Sequence, residues 1–258
     1  MTARSRNGGG TGGSSLPGRD ARPLRRRIYN MAAAATEASP AGFAVLLDGR
    51  PARTPAGAPL AAPTRALAEA LAAEWDAQRE HIDPAAMPLT RIANTAIDGV
   101  RGREAAVCAD IARYAASDLL CYRASEPEGL ARRQAEQWDP VLAWARTELG
   151  AGFRVAEGLM PMTQPEAAPA AVAAALEELD AFALAALHTM TTLMGSALLA
   201  LAQARGRLSA EAAWAAAHVD EDWQIARWGE DAQAAARRRR QWTEMEAASR
   251  LLALLGRP

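Results

Sequence analysis

His218, Asp220, Glu221 and Asp222 form the densest group of titratable side chains in the sequence, so chemistry is sought there first. An imidazole beside three carboxylates could hold a divalent ion or divide acid and base work. All four stand on one predicted helix, where consecutive residues point about 100° apart. They cannot converge on one ion, and the pattern fits a solvated acidic face better than a metal centre. The other histidines, His81 and His188, have no Cys or Asp at a ligand spacing. His188 lies on an apolar helix, where a hydrogen-bonded core residue is the plain reading.

Other chemistry is absent from the text of the chain. There is no GxSxG elbow, no P-loop and no dinucleotide fingerprint, and the glycines at 8–13 precede no Gly-Lys pair. The run Arg237–Arg240 spreads its charges around a helix and reads as a solvated face. No cofactor and no small-molecule substrate are expected. The one enzyme alternative is a helical carboxylate-dependent hydrolase centred on His218 and Glu221. Tryptophan is the remaining signal: seven, beside three Phe and three Tyr. Trp and Arg dominate binding hot spots because each offers a large contact area with a polar handle. Trp75 and Trp214 sit in core-like surroundings. Trp223 and Trp228, among charged residues in DEDWQIARWG, suit an interface as well as a core.

The elements that position these residues follow from composition and spacing. The 258 residues are 50% apolar but only 5% aromatic, and alanine carries much of the apolar count, which favours helix. Every basic residue is Arg. A net charge of −1 argues against a general nucleic-acid binder. Cys108 and Cys121 lack CxxC spacing and read as buried thiols in a reducing compartment.

Residues 1–24, Gly/Ser/Arg-rich, are expected to be a disordered tail. Asp20 is their only acid, which would suit a transit peptide, but no amphipathic pattern or apolar signal core accompanies it. A first strand is expected over Arg27–Ala35, a turn at Ser39–Gly42, a strand at Phe43–Leu47 and a hairpin turn at Asp48-Gly49, with Arg50–Thr54 returning. So small a sheet needs a helix to lie on. Thr64 caps that helix, and Leu67, Leu71 and Trp75 form its apolar stripe.

A short helix over Leu89–Asp98 is closed by Gly99, and another covers Arg103–Ala116. DLLCYR at 118–123 and FRVAE at 153–157 read as two short strands that either neighbour each other or extend the first sheet. Glu128–Leu149 is helical, with a break or kink at Asp139-Pro140. Further helices are expected at Ala167–Leu179, from Ser209 to Trp228, and at Ala232–Leu255. Ala181–Ala204 has no acid and no Arg and is long enough to span a bilayer. Its His, Thr, Ser and Gln residues and its lack of flanking aromatics favour a buried central helix instead.

These segments carry a family resemblance. EWDAQ, IDP, MPLTRIANTAIDGV, YAASDLLCYR and WDPVLAWA, preceded by GFAVLLDGRPARTP and followed by DEDWQIARWG, resemble the assembly chaperones of the ATP synthase F(1) sector that handle the α subunit. The likeness runs from about Arg26 to the C-terminus. It implies an α+β fold: a small N-terminal β-meander packed on a helix, then a larger orthogonal α-helical bundle. The divisions expected are the tail at 1–24, an α+β domain at 25–100 and a helical bundle at 101–258.

The resemblance further implies a chaperone that binds the unassembled F(1) α subunit and shields its interface until it pairs with β. It implies no nucleic acid, no membrane insertion and no enzymatic activity. A bacterial cytoplasm is the expected site, or a mitochondrial matrix for a eukaryotic source. Glu221, Asp222 and Gln224 take the family's chaperone role, and Trp228 shares their helix face at i, i+3, i+7 spacing. Trp75, Arg91, Asn94 and Asp98, within the family's motifs, take structural roles.

Overall fold

A computed structural model describes residues 23–158 and 162–256. All but the last two residues of the expected tail lie outside that range. The chain opens with β1 (Arg25–Arg26) and β2 (Ala32–Ala34). Of the strand expected over Arg27–Ala35 only Ala32–Ala34 forms, and β1 lies just before that range. Between them Arg27 turns inward and donates to the carbonyls of Tyr29 and Asn30 in its own segment and of Asp76 and Gln78 across the fold. β3 (Phe43–Leu47) turns sharply into β4 (Arg50–Pro51), with Asp48 and Gly49 both at positive φ as this hairpin requires. Asp48 also accepts from the amides of Asn30 and Met31, bonds that hold its carboxyl below the usual carboxylate range.

β2 pairs antiparallel with β3 in the register Ala33↔Leu46. β4 pairs with the C-terminal end of β3, and β5 (Ala61–Ala62) with its N-terminal end. This sheet lies on α1 (Arg65–Asp76), whose Leu67 and Leu71 are fully buried and whose Trp75 is half-buried at the stripe's end. Thr64 caps α1 by accepting from the Leu67 amide.

Then β6 (His81–Ile82) pairs with β1, and a single 3-10 turn over Pro84–Ala86 leads to α2 (Pro88–Thr95). The expected closure at Gly99 does not occur. The chain widens into a π turn over Ala96–Val100 that contains Gly99. α2 has no capping side chain of its own; the Glu74 carboxylate on α1 accepts from the Leu89 and Thr90 amides at 2.8 and 2.7 Å. A partly buried carboxylate thus joins two helices, and burial pushes its pKa up.

α3 (Glu104–Ala116) ends at a 3-10 turn over Leu119–Cys121, followed by β7 (Tyr122–Arg123). α4 (Glu128–Glu148) runs through Pro140 as one helix, so of the break or kink expected there the break does not occur. β8 (Ala156–Glu157) pairs parallel with β7, so the two short strands read from the sequence neighbour each other, each two residues long.

α5 (Ala167–Ala174) is shorter than expected, and the long apolar segment is two helices, α6 (Ala181–Met194) and α7 (Ala197–Ala204). Gly195 at φ 65° ends the first, and Ser196 caps the second. Among the described residues no helix is long and apolar enough to cross a membrane.

The next expected helix also divides. α8 (Ala210–Ala217) and α9 (Val219–Trp228) meet at His218, and α10 (Ala232–Leu254) closes the bundle. Sheet first, helices after, the architecture is the α+β arrangement expected. One hydrophobic core passes from Val45 in the sheet through Trp138 and α6 to Leu252. Its centre is α6 and α7, nearly all of whose apolar residues are sealed from solvent.

The α8–α9–α10 cleft

Sequence pointed to α9, and the structure shows what surrounds it. Glycine at 229, with φ 87°, ends α9, and Asp231 caps α10 by accepting from the Ala234 amide. The two helices form a hairpin held by charge. Arg238 on α10 donates to Asp222 Oδ1, and its Nη1 lies 3.8 Å from Glu221 Oε2. Asp222 is the main reason the Arg238 guanidinium is held more firmly protonated than usual.

Glu221 and Asp222 thus share Arg238, while Asp220 turns away from them, so the four groups do not converge on one point. Asp220 accepts from Gln134 Nε2 on α4 at 2.7 Å, and Gln134, itself buried, accepts from the Ala124 amide. His218 sets Nδ1 2.7 Å from the Trp214 carbonyl, with its ring 4.0 Å from the Trp214 ring. Since a carbonyl only accepts, that nitrogen carries the proton. Burial pushes the His218 pKa down, favouring the neutral ring. Its Nε2 is 3.9 Å from Glu221, too far for a hydrogen bond. No cluster of three potential metal ligands occurs among the described residues.

Glu221, Gln224 and Trp228 do share a face, and with Ile225, Glu230 and Arg238 they line a cleft of about 220 Å³ between α9 and α10. Trp228 is 76% exposed, which is extreme for an indole. A second hollow of about 350 Å³ shares Glu230, Ala235 and Arg238 and is floored by Trp214 and Trp242, packed edge to face at 5.6 Å. The two form one cleft system, with indoles at its floor and rim and acids and arginines between.

Trp223, on the opposite side of α9, is structural. Its ring lies under Arg227 and Arg133, at 4.3 and 5.0 Å, and so close to Gly129 that a Cβ there would stand 2.6 Å from it. This contact seats α9 on α4.

The motif residues of the first hundred positions lie elsewhere. Trp75 packs on Tyr29 at 5.9 Å and accepts the Tyr29 hydroxyl at its carbonyl. Arg91 pairs with Glu244 on α10. Asp98 accepts from the Thr54 hydroxyl at 2.7 Å and the Ala56 amide at 3.0 Å, fastening the loop after β4 to the π turn. Asn94 is half-buried, and its side-chain oxygen has no hydrogen-bond partner among the described residues. His188 pairs with Asp110 at 2.8 Å and stands partly exposed, where a core position was expected.

Sequence reading missed Arg238, which it placed in a solvated run, and Trp242. The signal was present: Asp222 and Arg238 flank a Gly-Glu-Asp turn short enough to fold one helix back on the next.

The sequence model of the ATP12 chaperone protein family matches residues 26–146. The structure superposes on the Atu1473 protein of Agrobacterium tumefaciens with a TM-score of 0.86, at 52% identity over 90% of this chain and 87% of that one. It superposes on Atp12 from Paracoccus denitrificans with a TM-score of 0.83, at 45% identity over 89% of this chain and 98% of that one. An aspartate-to-lysine mutant of the Paracoccus protein matches equally well. At this identity, sustained across nearly the whole length of both chains, the protein belongs to the ATP12 chaperone family.

Proposed function

We propose that this protein is an assembly chaperone for the F(1) sector of ATP synthase, which binds the unassembled α subunit and covers the surface that later packs against β. Membership of the ATP12 chaperone family supports the chaperone role. The observation that carries the binding reading is the exposed Trp228 beside the α9–α10 cleft. A lone indole in solvent is a poor arrangement for a free monomer and a good one for a protein that meets another. Glu221, Gln224 and Trp228 are the contact residues, and Asp222 acts through Arg238 by keeping the hairpin closed. Trp75, Arg91, Asn94 and Asp98 serve the fold.

The mechanism is shielding. An isolated α subunit exposes an apolar interface, and a reversible cover of standard size, about 1,600 Å² in total, prevents aggregation. The β subunit releases the chaperone by competing for the same surface, so no nucleotide hydrolysis is required of it. The reading as a hydrolase is not favoured, because the His218 ring is packed on Trp214 and Glu221 lies beside Arg238.

The test is co-purification with F(1) α and suppression of α aggregation by light scattering, comparing the wild type with Glu221→Lys. Capture and suppression by the wild type, both lost in the variant at unchanged melting temperature, support the proposal. An α subunit that aggregates equally with and without the wild type sinks it, as does release that needs ATP when β is present.

A further inference from the structure

The segment Leu24–Met31 displays apolar side chains to solvent by construction. Arg27 and Tyr29 face inward: Arg27 is tied to four carbonyls, and Tyr29 is 7% exposed with its hydroxyl bonded to the Trp75 carbonyl. In extended chain, neighbours of inward residues point out. Ile28, between these two anchors, is 91% exposed; Met31 is 59% and Leu24 49% exposed. They are not loose side chains on a wandering strand, since the anchors hold the backbone.

Arginines flank the Leu24–Ile28 end of this segment. Arg25 and Arg26 are exposed on β1, and the exposed Arg79 and His81 lie in or beside its partner β6, where Arg26 faces His81 in register. On the two strands and Arg79–Glu80 the arginines outnumber the acids three to one, with Glu80 the exposed acid, while the exposed Asp48 and Asp76 accept from the amides of residues 30–32 at the Met31 end. The asymmetry reaches further along the sequence. Seven of the 29 arginines and one of the 30 acids fall within residues 1–27, leaving 22 arginines against 29 acids in the rest. A chain with a net charge of −1 is thus strongly polarised.

We infer that this ribbon is a peripheral docking surface for an anionic lipid bilayer. Ile28, Met31 and Leu24 protrude from a two-stranded ribbon that carries Arg25, Arg26 and Arg79, and apolar groups set among basic charge fit an anionic lipid interface. A lipid interface yields around protruding apolar groups, while each arginine near an anionic surface adds attraction that salt removes. Two signals, apolar insertion and basic charge, are what reversible membrane attachment needs. The inference is independent of the α-subunit reading, since the ribbon shares no residue with the α9–α10 cleft.

The test is sedimentation of the full chain with vesicles of phosphatidylcholine alone or with about 30% phosphatidylglycerol, an anionic fraction in the range where basic segments respond. Expected is binding to the anionic vesicles only, weakened at high salt. Ile28→Asp, and separately Arg25→Glu with Arg26→Glu, should each lower it by about tenfold or more at unchanged melting temperature. Neither variant touches Arg27 or Tyr29, so the anchors remain. Equal binding to neutral vesicles overturns the proposal, and so does binding that survives both variants. Capture by RNA with no vesicle binding overturns it in favour of a nucleic-acid contact.

Discussion

The carboxylate of Asp118 serves two helical turns at once: Oδ1 accepts from the Leu120 amide and Oδ2 from the Leu198 amide, each at 3.1 Å. It is fully buried, and the Leu119 amide beside it donates to the Gly195 carbonyl. The break between α6 and α7 is therefore a built joint, with its free amides answered by an acid 80 residues earlier.

Burial pushes the Asp118 pKa up to about 6, although the amides pull the other way. The folded state therefore holds the proton more tightly than the unfolded chain between about pH 4 and 6. Stability from this group falls as pH rises through that window, by on the order of 3 kcal/mol. Asp118→Asn should remove that slope and, by setting an amide NH₂ against a backbone N–H, cost about 1–3 kcal/mol. Urea unfolding of both proteins from pH 4 to 7 checks it; parallel curves refute the assignment.

Trp228→Ala should leave stability within about 0.5 kcal/mol, because the side chain is largely in solvent already. Partner capture should fall by more than about tenfold, as for a hot-spot indole. Isothermal titration against the F(1) α subunit, with a thermal melt alongside, separates the two effects. A lowered melting temperature with full binding would reverse the assignment.

Gly42 stands at φ 106°, and a Cβ there would lie 2.3 Å from the Ala62 carbonyl oxygen. Backbone cannot give way as a side-chain tip can. Gly42→Ala should cost more than about 2 kcal/mol, whereas Gly49→Ala, strained in φ but open in space, should cost less. Paired denaturant melts decide between them.

Both thiols should be silent in the native protein. Cys121 is fully buried with its pKa pushed up to about 12, and burial raises Cys108 as well. The thiolate is the reactive form, so alkylation at pH 8 should track unfolding. Fast modification by a maleimide without denaturant would contradict this.

Much of the architecture was legible because short-range rules govern it. Thr64, Ser209, the Asp48-Gly49 hairpin and the Leu67–Leu71 stripe announce themselves within a few residues. What the sequence hid depends on distant partners. Ala181–Ala204 reads as one helix because nothing local to Gly195 reveals Asp118 waiting at the joint. The α8–α9 division at His218 and the continuity through Pro140 are likewise settled by packing. On the site, Glu221, Gln224 and Trp228 were legible as one face from spacing alone. Their neighbour Arg238 was missed: the Gly-Glu-Asp turn signals that α10 folds back on α9, but a run of four arginines does not show which one turns inward.

The hydroxyl of Thr64 donates to the carbonyl of Leu254 at 2.7 Å, 190 residues later, while α10 also packs along α6 and α2. The sheet-bearing lobe is therefore braced by the last helix, a contact that forms only once α10 has been made. A truncated product should not persist as a half-working chaperone; it should be cleared by proteases as an unfolded chain.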